Sequence, residues 1–234
     1  MQKKLNNNRI QLPQMNVSRV GRKVFFTGEV NEDSMHELLR TLAEIEWEDE
    51  EQQPQDKVEV LINDFMNSVD LLKCKKQDKK SIYNELDDSI NTYNNDNSLN
   101  RLPIQLYINS FGGNIYEALN FIDVVRLMKT PVHTIASGKC MSAGALMLMA
   151  GDRRFATLNS TILIHQMSSG TYGNFQTMLE DMAEFQRLQD LVNDLIMTYT
   201  NVDEELLQEI QESKYDYYMD VEEALDLGII DEIL

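Results

Sequence analysis

The sequence predicts an α/β protein built on parallel strands. The first observation is alternation. Short apolar runs, "IQLYINS" (104–110), "PVHTIAS" (131–137) and "STILIHQ" (160–166), are each followed by a helix-like stretch, and strand–helix–strand order implies parallel pairing across crossover helices. The second is that the same order occurs near the start, with "RKVFFTGEV" (22–30) before "NEDSMHELLRTLAEIEWE" (31–48). The third is size: 234 residues with 42% hydrophobic content suffice for one well-filled core, and a single domain over 1–234 is expected.

The elements follow in order. Residues 22–30 read as a strand. In 31–48, Leu38, Leu39, Leu42 and Ile45 recur at helical spacing, and Asn31 or Asp33 can cap the start. From about 49 to 100 the character changes: "EDEEQQPQDK" and "NTYNNDNSLN" bound a polar segment too poor in large apolar residues to bury much surface. It reads as an insertion, within which "KVEVLIND" (57–64) suits a strand and "MNSVDLLKC" (66–74) and "KKSIYNELDDSINTY" (79–93) suit short helices. The strand 104–110 leads through two glycines into the helix 112–129, and 131–137 is the next strand. "SAGALMLMAG" (142–151) is apolar on every face, as a buried helix requires. After the strand 160–166 comes one long helix, 174–200, with Met178, Met182, Phe185, Leu188, Val192 and Ile196 at helical spacing. Residues 220–234 give a short helix, Gly228 as its stop, and a last strand.

Composition narrows the function. A net charge of −18 opposes a nucleic-acid partner, since the only basic run is "KCKKQDKK" at 73–80. No apolar stretch reaches bilayer length, and "MQKKLNNNRIQLPQ" lacks the apolar centre of a secretory signal, so a non-membrane, cytoplasmic protein is expected. Two cysteines, Cys74 and Cys140, without such a signal suit a reducing compartment. No Cys/His cluster has metal-ligand spacing, the thirteen methionines read as core and interface filler, and neither metal nor cofactor is expected.

Chemistry concentrates around "GKCMSAGALMLMAG" (138–151), where one hydroxyl, Ser142, heads an apolar run. A small residue at a helix start explains it without function; a nucleophile explains it too. Cys140, two positions earlier, is a rival nucleophile, for which Lys139 is the one adjacent group able to lower a thiol pKa. A serine needs a base, and the chain has three histidines. His36 sits among polar residues near a helix start, and His133 lies within a strand. His165 ends an apolar strand and faces the loop "MSSGTYG", where α/β folds present reactive groups. Acyl transfer also needs oxyanion donors. The turn "NSFGGN" (109–114) can bring backbone N–H groups close to a substrate, and the N–H of Ala143 is a second donor.

Together these segments resemble the ClpP family, the proteolytic subunits of Clp proteases, which are serine peptidases on a crotonase-like fold of repeated β-β-α units with a long handle helix. The family patterns "YINSPGG", "GQAASMGA" and "NSRxMIHQP" correspond to "YINSFGG" (107–113), "GKCMSAGA" (138–145) and "NSTILIHQM" (159–167), and an Asp precedes a terminal "EAxxxGLxD" as in 215–231. Ser142 follows Gly113 by 29 positions, and His165 follows Ser142 by 23, in the family's order. The likeness covers roughly 17–48 and 101–234. It implies that Ser142 is the nucleophile, His165 the base and Asp216 the third member of the triad, with Asp220 four residues on as a rival. Gly113 and Ala143 match the oxyanion donors, and Gly112, Gly170 and Gly173 are expected to bind substrate, the last two in "GTYGNF", which matches a segment that lies against bound peptide. The resemblance further implies two stacked rings of seven identical subunits and unfolded polypeptide substrates. It also implies an AAA+ ATP-dependent unfoldase as partner, because the chain has no GxxxxGK[ST] motif. Phe111 and Met167 stand where the family has prolines, and Cys140 and Met141 where it has alanines. The insertion and the departures at Phe111 and Met167 leave a phage-type head-maturation protease as one alternative; a catalytically silent ring subunit is a second, against which the intact Ser/His/Asp set argues. An acyl-CoA enzyme of the crotonase type would need no Ser–His pair at these positions.

Overall fold

The computed structural model describes residues 16–51, 101–213 and 216–234. The N-terminal stretch 1–15 and the strand and helices expected within 57–93 lie outside the described residues. Strands β1 (Val17–Val20) and β2 (Lys23–Val30) form a hairpin over Gly21, whose φ of +59° is the left-handed turn that glycine takes without strain. Helix α1 (Glu32–Glu51) follows. Its buried stripe includes Met35, Leu38, Leu42 and Ile45, and Leu39 is half-buried beside it. Asn31 caps it: its Oδ1 accepts from the Ser34 N–H, and the Ser34 Oγ accepts from the Asn31 N–H, both at 3.0 Å.

After the undescribed segment come β3 (Ile104–Gly113), α2 (Ile115–Leu127), β4 (Val132–Met141), α3 (Ala143–Met149), β5 (Arg153–Ala156) and β6 (Thr161–Ile164). Helices α4 (Phe175–Tyr199) and α5 (Glu204–Ser213), strand β7 (Tyr217–Met219), helix α6 (Val221–Asp226) and strand β8 (Glu232–Ile233) complete the chain. The sheet runs β1-β2-β3-β4-β5-β8 and is parallel beyond the first hairpin. One feature of β4 positions everything else. Residues His133–Ala136 pair with β5, whereas Lys139–Met141 pair with β6. Between them Gly138 adopts a φ of +86°, and the β3–β4 register shifts between Ile108 and Ser110. A single strand therefore feeds two neighbours, and β6 with its antiparallel partner β7 branches away.

Several expectations change in detail. The strands expected at 104–110 and 131–137 run on through Gly113 and Met141, because the glycines and "GKCM" stay extended against their neighbours. The helix expected from 112 begins at Ile115, capped by the Asn114 side chain. Elements β1, β5, α5 and β7 carried no expectation. Every residue of α3 is buried, as its composition requires. The stripe on α4 divides: Leu188, Val192 and Ile196 are in the core, while Met178 and Met182 face outward. Gly228 (φ +65°) ends α6 as expected, with the Ile229 N–H donating to the Ala224 carbonyl at 2.8 Å.

Candidate active site

Ser142 sits where β4 ends and α3 begins. It occupies the N-cap position but makes no capping bond. It is also the one non-glycine residue with positive φ among the described residues, at φ +53° and ψ −124°. That backbone is costly for an L residue, and such strain collects at functional turns. Three bonds fix it: the Ser142 N–H donates to the Leu163 carbonyl at 2.9 Å, and its carbonyl accepts from the Ala145 and Leu146 N–H groups. The side chain is thereby free to turn away from the helix. Its Oγ lies 2.7 Å from Nε2 of His165, so the explanation that a small residue merely packs there does not suffice.

His165 is the residue after β6. Pairing of β4 with β6 sets Met141 opposite Leu163, so the ends of both strands carry Ser142 and His165 side by side. On its other edge β6 pairs with β7, Ile164 opposite Tyr217. Continuing that antiparallel register by one residue brings Asp216 opposite His165, and Asp216 Oδ1 lies 4.0 Å from His165 Nδ1. Asp220 is committed elsewhere: its carboxylate caps α6, accepting from the Glu223 N–H at 2.9 Å. Of the remaining histidines, His36 is exposed on α1. His133 is half-buried beside Phe155, and burial lowers its pKa.

Cys140, the rival nucleophile, is fully buried and points its Sγ at the Gly144 carbonyl, 3.2 Å away. Burial pushes its thiol pKa up, the opposite of activation. Lys139 does not approach it; its Nζ donates to Asn109 Oδ1 at 3.0 Å and lies 4.5 Å from the Phe111 ring centroid.

The glycine turn closes over Ser142. Gly112 and Gly113 have φ of +99° and +151°. Ser110 Oγ accepts from the Gly112 N–H at 3.0 Å and donates to the Gly28 carbonyl at 2.5 Å, which pins the turn to β2. A Cβ on Gly112 would meet the Ser142 Cβ at 2.8 Å and the Ala143 nitrogen at 3.0 Å. Only glycine permits so close an approach. Gly113, Ser142, Ala143 and His165 all line one cavity of about 320 Å³, whose far wall is apolar: Leu146, Phe185, Leu188, Val192 and Ile196. At its rim the Tyr116 hydroxyl donates to Glu184 Oε1 at 2.8 Å, joining α2 to α4. Gly170 and Gly173 do not line this cavity; from their segment it is Met167, Ser168 and Ser169 that do. Met167 and Phe185 carried no expected role, because their apolar character alone reads as core. Among the described residues, no group of three or more His, Cys, Asp or Glu could hold a metal, and no helix is long and apolar enough to cross a membrane.

The chain that places this Ser–His pair on such a sheet is similar to known proteins. Residues 75–234 match the Clp protease family, more than half of the chain. The chain belongs to the Clp protease family. The match begins inside the segment 49–100 set apart above. An ATP-dependent Clp protease proteolytic subunit from Deinococcus radiodurans is 41% identical over 133 residues, 56% of this chain and 64% of that protein. Proteolytic subunit 2 from Treponema pallidum is 37% identical over 134 residues, 56% of this chain and 66% of that protein. The chain thus spans slightly less than two thirds of the length of these curated relatives. A mutant of ClpP1 from Listeria monocytogenes shares the fold, with a TM-score of 0.62 at 22% identity over 92% of this chain and 91% of that one. The mixed α/β architecture is therefore the ClpP fold.

Proposed function

We propose that this chain is a ClpP-type serine endopeptidase. The observation that carries the reading is the 2.7 Å contact between Ser142 Oγ and His165 Nε2 at the mouth of an apolar cavity. Ser142 attacks the scissile carbonyl while His165 takes its proton, later returning it to the leaving amine. Asp216 orients the imidazole and offsets its positive charge. The 4.0 Å gap to Nδ1 closes by a small side-chain movement, since catalytic hydrogen bonds commonly tighten only with substrate bound. The N–H groups of Gly113 and Ala143 receive the oxyanion, and water then hydrolyses the acyl-enzyme.

A cavity of about 320 Å³ walled by Leu, Val, Ile and Phe favours a large apolar side chain next to the scissile bond. The peptide backbone runs along the segment 165–174, which forms no strand of its own and can add one to an extended substrate. The first half of α4 and the residues before it expose Tyr172, Phe175, Leu179 and Met182. That outward apolar face supports assembly of two seven-membered rings through this helix. The relatives' name, ATP-dependent Clp protease, supports an AAA+ unfoldase that delivers unfolded polypeptide. The buried free thiol of Cys140 supports a reducing, cytoplasmic setting.

The test is mass-spectrometric mapping of a fluorophosphonate adduct beside a Ser142→Ala control. An adduct on Ser142, absent from the control, is expected. No adduct on an assembled wild-type protein would overturn the reading in favour of a silent ring subunit.

A further inference from the structure

Beyond Ile164 the backbone leaves regular structure until α4, so whatever holds His165 and its successors must come from side chains. Met167, two residues past the base, donates its N–H to Gln189 Oε1 at 2.8 Å. Gln189 belongs to the core-facing side of α4, between the buried Leu188 and Val192, and is itself only 9% exposed. A buried amide is costly unless its groups are bonded, and here they are. Its Nε2 donates to Asn193 Oδ1 at 2.9 Å, and the same oxygen accepts from Gln211 Nε2 on α5 at 3.0 Å. A chain of three amides therefore joins the site segment to two helices. The same three amides, with His165 and Gln166, line a pocket of about 10 Å³, so they form the wall behind the imidazole as well as the anchor of its loop. The bond is open to residue 167 because it is not proline, which would have no N–H to give.

We propose that Gln189 is a positioning residue for His165, acting through the Met167 N–H and braced by Asn193 and Gln211. The proposal rests on the peptidase reading for its effect on catalysis, but not for its effect on the loop. Gln189→Leu keeps side-chain size and removes the acceptor. Gln189→Glu keeps the acceptor toward Met167. Met167→Pro removes the donor and leaves Gln189 in place. Two measurements are made on the full chain: hydrogen exchange of residues 165–169, and kcat and KM for a peptide with an apolar residue before the cleaved bond. In Gln189→Leu, exchange at 166–169 is expected to rise at least about tenfold, the penalty of one lost buried bond. At the same time kcat falls about tenfold, KM stays within about threefold and the unfolding midpoint changes little. Gln189→Glu is expected to restore most of both. In the Met167→Pro background, Gln189→Leu is expected to add nothing, since the partners share one interaction. Exchange within twofold of wild type in Gln189→Leu, or full additivity with Met167→Pro, would overturn the proposal. If the wild-type chain cleaves no peptide, the peptidase reading fails, and the exchange data still decide whether Gln189 holds the segment.

Discussion

Replacing Gly112 with alanine tests whether the closeness of β3 to the Ser142 turn is what builds the site. A Cβ at 112 would lie 2.7 Å from the Met141 carbonyl oxygen, 2.8 Å from the Ser142 Cβ and 3.0 Å from the Ala143 nitrogen. None of these is the free end of a flexible side chain. Ordinary contact begins near 3.4 Å, so the two segments must part by about 0.6 Å. The φ of +99° adds about 1–2 kcal/mol for any L residue, and relieving the overlap costs about 1–3 kcal/mol. The displacement falls on the Cβ of the proposed nucleophile and on a proposed oxyanion donor. A misplacement of about 1 Å costs on the order of 10²-fold in rate, so a shift of about 0.6 Å predicts a loss of at least about tenfold in kcat/KM. The assay is peptide hydrolysis and the rate of fluorophosphonate labelling, with thermal unfolding to separate loss of fold from loss of geometry. Gly21→Ala is the control: it also carries a positive φ, of +59°, but lies outside the cavity lining, and no atom lies within 4 Å of the added methyl. Activity of Gly112→Ala within threefold of wild type would refute the argument: the turn would then not be held against Ser142 as described.

Other expectations are briefer. Asp216→Asn should lower kcat by about 10⁴-fold, as loss of the orienting carboxylate does in other triads. Asp220→Ala should instead cost about 1 kcal/mol of stability through its cap, with activity little changed; the reverse pattern in steady-state kinetics would exchange their roles. Cys140 in the folded protein should resist iodoacetamide at neutral pH, checked by mass spectrometry, because burial both hides the thiol and keeps it protonated. Burial alone would raise the Asp49 pKa, but Arg22 and Thr130 hold the carboxyl below its usual range. With the folded pKa depressed, the pair stabilises fully above about pH 4, and that stability is lost as pH falls through the folded value. Unfolding midpoints of wild type and Arg22→Ala should therefore converge in acid.

How much of this was legible in the sequence depended on whether function lay in local pattern or in pairing. Ser142, His165 and the glycine turn were legible because each stands at the junction of an apolar run with a break, and because their spacing repeats a known family's. The buried helix α3 was legible from composition alone. Strand β7 was not: "YYM" is three residues long, too short for a periodicity to show. The split of β4 was not either, since a strand that changes partners at Gly138 reads locally as a strand that ends there. The apolar stripe of α4 was visible as a stripe, but the sequence does not say where along it the core stops. That limit falls near Phe185, where α4 leaves the cavity wall.

Pairing also bears on which carboxylate stands beside His165. Local pattern gave no reason to prefer Asp216 over Asp220, since both are carboxylates in a polar stretch and the choice rested on resemblance. The structure offers a separate, geometrical reason. Antiparallel pairing of β6 with β7 places residues opposite one another along the two strands, and the rung after Ile164–Tyr217 is His165–Asp216. Four residues further on, Asp220 has passed the end of the ladder and serves the next helix. The parallel register of β4 and β6 does the same for Ser142 and His165. Ser142, His165 and Asp216 thus stand at the ends of three adjacent strands, β4, β6 and β7. In the proposed mechanism, their order across the sheet is the order in which the proton and its charge are handled. The juxtaposition of the three side chains depends on both registers being held. A substitution that shifts β7 by one residue should therefore disable the site more completely than any loop replacement, because one step of register turns Asp216 to the opposite face.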